Sequence, residues 1–269
     1  MLTSMFSCGT SVVALFYTPG RLDRPQSRGL VDAYADRWSA AGGPTTLSRG
    51  VFMTPTAHRQ LVTIAIDGTQ VEGTLALPVA ASCMVLFAHG SGSSRHSPRN
   101  NAVAAELRSA GMGTLLMDLL GPDEDHDTAR RFDIELLTRR LGAAADWLAD
   151  NAATRALPLG LFGASTGAAA ALALAAQRGE AIRALVSRGG RPELAGAHIL
   201  AAVRSPVLLI VGGLDTEVAS LNNLAYAQLD CEKLLEVVAG ATHLFEEPGR
   251  LDIVARLAAR WFMRHLSAA

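Results

Sequence analysis

The sequence predicts an α/β protein with a mostly parallel, doubly wound sheet that is covered by helices on both faces. Short apolar runs of strand length alternate with helical stretches, glycine and proline separate the segments, and 49% of the residues are hydrophobic. Parallel strands need crossover connections, and helices supply these while covering the sheet. At 269 residues the chain is long enough to form one such domain.

The predicted elements begin near Gln60 with a hairpin at the edge of the sheet. Two β-rich runs, residues 62–66 and 71–77, flank Asp67 and Gly68, a pair that favours a tight turn. Further short apolar runs predict strands at residues 84–88, 113–117, 157–162, 182–187, 207–211 and 233–238. Helical patterns predict helices at residues 98–110, 132–148, 168–177, 192–202, 217–229 and 250–265. The domain therefore comprises residues 56–269.

The first 55 residues form a predicted N-terminal extension that is partly loop-like. Glycine, proline and serine are frequent between Pro19 and Pro44, although residues 30–41 favour a helix. The apolar run at residues 11–17 weakly resembles a secretory signal, but it lacks a basic start and a convincing cleavage site. We favour a variable extension over a signal, and Met53 is an alternative start.

Charge and cysteine usage narrow the function classes. Lys plus Arg number 24 and Asp plus Glu number 25, so there is no basic field for nucleic acid or an anionic membrane. The sequence has no run of about 18 apolar residues, so it predicts no transmembrane helix. Cys8, Cys83 and Cys231 form no C-x-x-C pair, which is typical of reduced thiols. We expect a cytoplasmic protein with a small-molecule partner.

The chemical signal is centred on Ser165, in the string GASTG at residues 163–167. An apolar strand precedes the string and an alanine-rich helix follows it. A turn sharp enough to expose one side chain there strains the backbone, and the residues two positions away must lack bulk. The pattern predicts a nucleophilic serine, although chance, or a serine that merely caps the helix, would give the same string.

A nucleophilic serine needs a base and a carboxylate that orients the base. His243 follows the last predicted strand, and Asp215 follows the strand at residues 207–211. Chemistry in such sheets lies at the carboxyl ends of the strands. Either residue alone could instead cap a helix. Together with Ser165, however, they give the order serine, acid, histidine, which predicts a catalytic triad.

Backbone N–H groups must stabilise the oxyanion of such a reaction. Thr166, which follows the nucleophile at a helix start, is the first predicted donor. The second lies in the loop HGSGS at residues 89–93, where Ser91 is the first choice and Gly90 the second. A dinucleotide-binding loop is the alternative interpretation of this segment. Arg95 stands where that motif requires its third glycine, and the alternative leaves the triad residues unexplained.

These segments resemble the α/β-hydrolases of the dienelactone hydrolase-like group. The resemblance extends from about Gln60 to the C-terminus and is carried by five blocks, at residues 87–101, 161–171, 187–196, 208–215 and 240–249. It implies a central sheet flanked by helices, no cofactor, and hydrolysis through a covalent acyl-enzyme. Dienelactone hydrolases proper have cysteine at the elbow, whereas this chain has Ser165. Dienelactone is therefore not the substrate that we predict.

The substrate side of the site is less specific. Only residues 189–205 are available for a lid before the acid strand, so we expect no large cap and an open site. Arg95, Arg99 and Arg188 could clamp a carboxylate or phosphate on the substrate. We favour instead their pairing with the acidic loop at residues 121–127. His96 and His126 have no ligand spacing that would predict a metal.

The leading hypothesis is a serine hydrolase that cleaves a carboxylic ester, thioester or lactone. An acyltransferase with the same triad is a second hypothesis, and a noncatalytic small-molecule binding protein is a third. The triad residues are all present in the chain, which favours the enzymes over the binding protein.

Overall fold

The computed structural model describes residues 58–66 and 68–266. The predicted extension, the helix at residues 30–41, Cys8 and Met53 lie outside the described residues. Asp67 of the predicted turn and the last three residues also lie outside them.

Within this part of the chain, one eight-stranded sheet has the order β1-β2-β4-β3-β5-β6-β7-β8. The first two strands form an antiparallel hairpin, β2 is also antiparallel to β4, and the other neighbouring strands are parallel. The strands are β1 His58–Ile66, β2 Thr69–Leu77, β3 Met84–Ala88, β4 Gly113–Met117, β5 Leu159–Ala164, β6 Ile182–Arg188, β7 Val207–Gly212 and β8 Lys233–Val238. The predicted hairpin and doubly wound sheet are confirmed.

Helices connect the parallel strands. They are α1 Pro98–Ser109, α2 Thr128–Arg131, α3 Ile134–Asp150, α4 Thr166–Arg178, α5 Ala197–Ala202, α6 Thr216–Gln228 and α7 Arg250–Leu266. Alternate strand residues point to opposite faces, and each face has its own core. Leu86, Leu161 and Leu209 belong to one core, whereas Phe87 and Phe162 belong to the other. This double burial explains why the central strands read as continuous apolar runs.

Two predicted helices differ in detail from the structure. The stretch at residues 192–202 contains a 3₁₀ turn, Pro192–Ala195, and then α5, because Gly196 adopts φ 88° between them. The helix predicted at residues 132–148 begins at Ile134, where the Asp133 carboxylate accepts the Leu136 N–H at 2.9 Å. An N-cap side chain satisfies a backbone donor that has no partner within the helix, and so fixes the start.

The connection from β6 to β7 contains only that turn and the six-residue α5. The described residues therefore contain no large cap, as predicted. None of their helices has the length and apolarity needed to cross a membrane.

An ion pair between a buried arginine and a partly buried glutamate holds the loop that follows β4. The Arg140 guanidinium, on α3, contacts both carboxylate oxygens of Glu124 at 2.6 and 2.7 Å, and the same carboxylate accepts the Gly121 N–H at 2.9 Å. The hydrogen bonds from Arg140 lower the pKa of Glu124, which outweighs the effect of its burial. This pair fixes the acidic loop to the body of the domain.

We expect Glu124→Gln to lower the free energy of unfolding at neutral pH by roughly 2–4 kcal/mol, because Arg140 is left buried without a carboxylate. The carboxylate of Glu124 contributes stability above the ordinary glutamate pKa, and this contribution is lost as pH falls through the lowered folded-state pKa. The difference between parent and variant should therefore shrink in acid. Urea unfolding at neutral pH and at about pH 3 measures it.

Glu135→Gln is the matched control, because Glu135 is an exposed glutamate on the same helix as Arg140. Its effect should stay within about 0.5 kcal/mol. Equal unfolding curves for Glu124→Gln and Glu135→Gln would contradict a stabilising role of the pair between Arg140 and Glu124.

Candidate active site

The site is built around the turn between β5 and α4, where Ser165 stands. Its backbone angles are φ 51° and ψ −122°, a conformation that residues with a side chain rarely adopt. Its hydroxyl makes no capping bond to the helix that follows. The cap interpretation is therefore wrong, and the turn presents Ser165 at the carboxyl edge of the sheet.

Close backbone packing explains the two glycines of the motif. A Cβ atom at Gly163 would lie 2.8 Å from the Ala168 nitrogen, and one at Gly167 would lie 2.7 Å from the Ala88 carbonyl carbon. Both distances are below any normal contact. The start of α4 can therefore approach β3 and β5 only because these positions lack side chains.

The structure joins Asp215 and His243. Asp215 follows β7 and His243 lies in the loop after β8, and Asp215 Oδ2 is 2.7 Å from His243 Nδ1. Backbone bonds connect their two loops, since the Leu214 N–H donates to the Ala241 carbonyl at 2.9 Å. Asp215 is largely buried, whereas His243 is partly exposed. The carboxylate thus orients the imidazole ring. The other ring nitrogen, Nε2, is not bonded to Asp215.

Ser165 and His243 both lie against the end of β6 and the residue that follows it. The Ser165 N–H donates to the Arg188 carbonyl, and the next residue, Gly189, faces His243: a Cβ there would lie 3.5 Å from two ring atoms. Among the described residues, His243 is bonded to Asp215 but not to Ser165 Oγ. A hydrogen bond between a nucleophile and its base is often long without substrate and tightens when substrate binds.

Phe245 anchors the His243 loop, a role that the sequence did not reveal. It has φ 58° and is 1% exposed, packed in the core face that contains Phe262. A bulky residue with positive φ is strained and persists only where surrounding contacts hold it. Burial of the ring therefore fixes the turn that carries His243.

His89 anchors the loop that contains Gly90 and Ser91. Its Nε2 accepts the Leu119 N–H at 2.9 Å, so the proton lies on Nδ1, which donates to the Gly90 carbonyl at 2.9 Å. Burial lowers the pKa of His89, which favours this neutral form. Its position directly after β3 is the sequence signal that could have identified the role.

The predicted oxyanion donors lie together. Thr166 is the first residue of α4, so no carbonyl one turn earlier in the helix accepts its N–H. The Ser91 N–H donates to Thr166 Oγ1 at 2.9 Å, and a Cβ at Gly90 would lie 2.9 Å from Ser165 Cβ. Thr166, Ser91 and Gly90 thus surround the predicted nucleophile, with the Ser91 N–H engaged by a hydroxyl.

A buried asparagine supports the other side of the elbow. Asn222 on α6 donates from Nδ2 to the Gly190 carbonyl at 2.9 Å, and the Arg191 N–H donates to the Ser165 carbonyl at 3.1 Å. Nothing in the helical pattern around Asn222 distinguishes it from a surface asparagine. Its role depends on where α6 packs, which the sequence did not reveal.

The predicted pairing of three arginines with the loop at residues 121–127 is wrong. Arg95 pairs with Asp118 and Glu72, and Arg99 pairs with Glu246 at 2.6 Å. Arg188 is buried, and its one side-chain hydrogen bond among the described residues is long, 3.4 Å to an asparagine oxygen. The acidic loop instead pairs with arginines that follow it, namely Arg130, Arg131 and Arg140. The acidic side chains thus pair with arginines that are nearer to them in the chain than Arg95, Arg99 and Arg188 are.

The described residues contain no group of three or more His, Cys, Asp or Glu side chains arranged to hold a metal ion. His96 and His126 belong to no such group. A cavity of about 470 Å³ lies near the amino ends of β3, β5 and β6, beside Met84, Leu159 and Ile182. It is at the opposite edge from Ser165.

This mostly parallel eight-stranded sheet with connecting helices is the fold of an α/β-hydrolase. A family model described as alpha/beta hydrolase fold matches residues 84–234, so the chain belongs to this family. The structure of dienelactone hydrolase from Anabaena variabilis is 49% identical, with a TM-score of 0.76. That likeness covers 78% of this chain and 99% of the other, and it supports a dienelactone hydrolase-like assignment.

More distant structures share the fold. Est1E from Butyrivibrio proteoclasticus is 16% identical with a TM-score of 0.66, covering 76% of this chain and 98% of its own.

Two curated relatives from Mycobacterium tuberculosis, both named "Putative phosphoribosyl transferase", are 52% identical over 212 residues. That match covers 79% of this chain but only 48% of theirs, so the chain spans about half of their length.

We expect Gly167→Ala to destabilise the domain by roughly 2 kcal/mol or more, because the added methyl meets backbone that cannot move aside. Gly142→Ala is the control. Gly142 lies within α3, and a Cβ there would meet Leu174 at an ordinary 3.4 Å. Alanine favours a helix over glycine, so the control should unfold at an equal or higher temperature. Equal melting curves for the two variants would refute the close-approach explanation.

Proposed function

We propose that the chain is a serine hydrolase that cleaves a carboxylic ester, thioester or lactone. Ser165 is the nucleophile, His243 the base and Asp215 the carboxylate that orients the base. The conformation of Ser165 carries the proposal: a strained serine held at the carboxyl edge between two obligatory glycines has no evident structural purpose. The 2.7 Å contact between Asp215 and His243 supports it.

In the first half of the reaction, Ser165 Oγ attacks the substrate carbonyl carbon while His243 takes the hydroxyl proton on Nε2. Asp215 stabilises the imidazolium through its bond to Nδ1. The carbonyl oxygen becomes an oxyanion, which the Thr166 and Ser91 N–H groups stabilise. As the intermediate collapses, the leaving group departs with the proton from His243, and the acyl group stays on Ser165.

Thr166 contributes twice to this arrangement. Its backbone N–H lies at the positive end of the α4 dipole, and its hydroxyl holds the Ser91 N–H close to the elbow. When substrate is bound, the oxyanion accepts the Ser91 N–H in place of the Thr166 hydroxyl or together with it. Gly90 is the alternative second donor, because its backbone packs against Ser165.

Water completes the reaction. His243, now neutral, removes a proton from a water molecule, which attacks the acyl carbon and releases the acid. An acyltransferase would pass the same acyl group to an alcohol or thiol, and added acceptors would shift the product ratio. The transferase name of the mycobacterial relatives belongs to proteins about twice as long, and we do not extend it to this chain.

A fluorophosphonate probe tests the nucleophile, because it reacts with activated serines. We expect the parent to be labelled and Ser165→Ala to be neither labelled nor active on short p-nitrophenyl esters. Thermal unfolding of both proteins controls for folding. An unlabelled parent, or equal labelling of the variant, would contradict the assignment of Ser165.

Asp215→Asn tests the orienting carboxylate. An amide can hold His243 in the wrong tautomer, so kcat for p-nitrophenyl acetate should fall by roughly 10³–10⁴-fold, with a smaller change in KM. Asp230→Asn is the matched control, because Asp230 is exposed and lies before β8. Its kcat should stay within about twofold of the parent, as for other surface substitutions. Full activity of Asp215→Asn would show that another group orients His243.

A further inference from the structure

Arg188 is the feature of this edge that the proposed triad does not use. It ends β6, its backbone pairs with Ala164, and its carbonyl accepts the Ser165 N–H at 3.2 Å. Only 7% of the residue is exposed. Its guanidinium therefore lies beneath the surface, one strand from the predicted nucleophile.

The guanidinium lacks the partners that a buried arginine normally has. Its Nη2 is 3.4 Å from Asn100 Oδ1, a long hydrogen bond to a neutral group. Its Nε and Nη1 are enclosed and have no hydrogen-bond partner, and no carboxylate among the described residues pairs with it. A buried cation without an opposite charge is unfavourable for folding.

A second cation lies close to the first. Arg99 precedes Asn100 in the first turn of α1, and its charge, together with burial, lowers the pKa of Arg188 to about 10, with burial the larger cause. Within residues 58–66 and 68–266, Arg99 pairs with Glu246 alone, whose side chain is 60% exposed. Two positive charges thus share one weakly held negative charge.

We propose that Arg188 and Arg99, with Asn100, form a binding site for a phosphate group on the substrate. A phosphate monoester carries between one and two negative charges near neutral pH and offers three acceptor oxygens. It matches the free Nε and Nη1 of Arg188 and the guanidinium of Arg99 in both charge and hydrogen bonding. That this phosphate belongs to the scissile ester rests on the proposed function. Phosphate binding itself does not.

Phosphate binding at this site would break the ion pair between Arg99 and Glu246. This pair connects α1 to the loop that carries His243, and exposed pairs of this kind contribute little to stability. In this proposal, the phosphate replaces Glu246 as the partner of Arg99. Ligand binding thereby rearranges a contact next to the catalytic base.

Calorimetric titration of inorganic phosphate into the full chain, in a phosphate-free buffer, tests the site. We expect the parent to bind and Arg188→Met to lose roughly 10–100-fold in affinity, as for the loss of charge-assisted hydrogen bonds. Arg99→Met should lose roughly tenfold, which keeps the test valid should Arg188→Met fail to fold. Arg183→Met, an exposed arginine at the other end of β6, should bind as the parent does.

The melting temperature gives a second readout. Arg188→Met should melt at or above the parent temperature, because methionine removes an unpaired buried charge. No phosphate binding by the parent, parent-like binding by Arg188→Met, or equal binding of succinate would each overturn the proposal. Ser165→Ala should bind phosphate as the parent does. If the parent protein binds phosphate but is not labelled by fluorophosphonate, the serine mechanism is rejected while the anion site is retained.

Discussion

The close approach of α4 to the ends of β3 and β5 is the constraint on which the candidate site depends. Gly163 and Gly167 permit it, because any side chain there would overlap backbone. The approach forces Ser165 to positive φ and brings its side chain out at the sheet edge. It also places the first residue of α4 against the loop after β3, where Ser91 and Thr166 meet. One backbone contact thus positions both the proposed nucleophile and the predicted oxyanion donors.

Buried side chains hold the surrounding loops in place. His89 bridges the loops after β3 and β4, Asn222 holds the loop after β6, and Phe245 fixes the loop after β8. Each acts through a carbonyl, an N–H group or a packed ring, so the loops are determined by the rigid elements beneath them. Precise positioning of reacting groups requires such support. These residues touch none of the proposed reacting atoms, yet the geometry depends on them.

Much of this arrangement was predictable because it follows local rules. Apolar runs predicted the strands, and the order serine, acid, histidine predicted that Asp215 and His243 would lie at the same edge of the sheet. In the structure, Asp215 Oδ2 is 2.7 Å from His243 Nδ1. The partners of the arginines were not predictable, because they depend on side-chain directions across the tertiary fold. Arg95 pairs with Asp118 and Glu72, and Arg188 has no carboxylate partner in the part of the chain that the structure describes. Phe245 and Asn222 were missed for the same reason, since neither strain nor burial is visible in their sequence neighbourhood.

The elbow also bears on which atom can stand at the position of the proposed nucleophile. Gly163, Gly167 and the backbone they admit shape the turn, and the Ser165 hydroxyl caps nothing in α4. Sulfur or oxygen could therefore occupy the same position without altering the chain path.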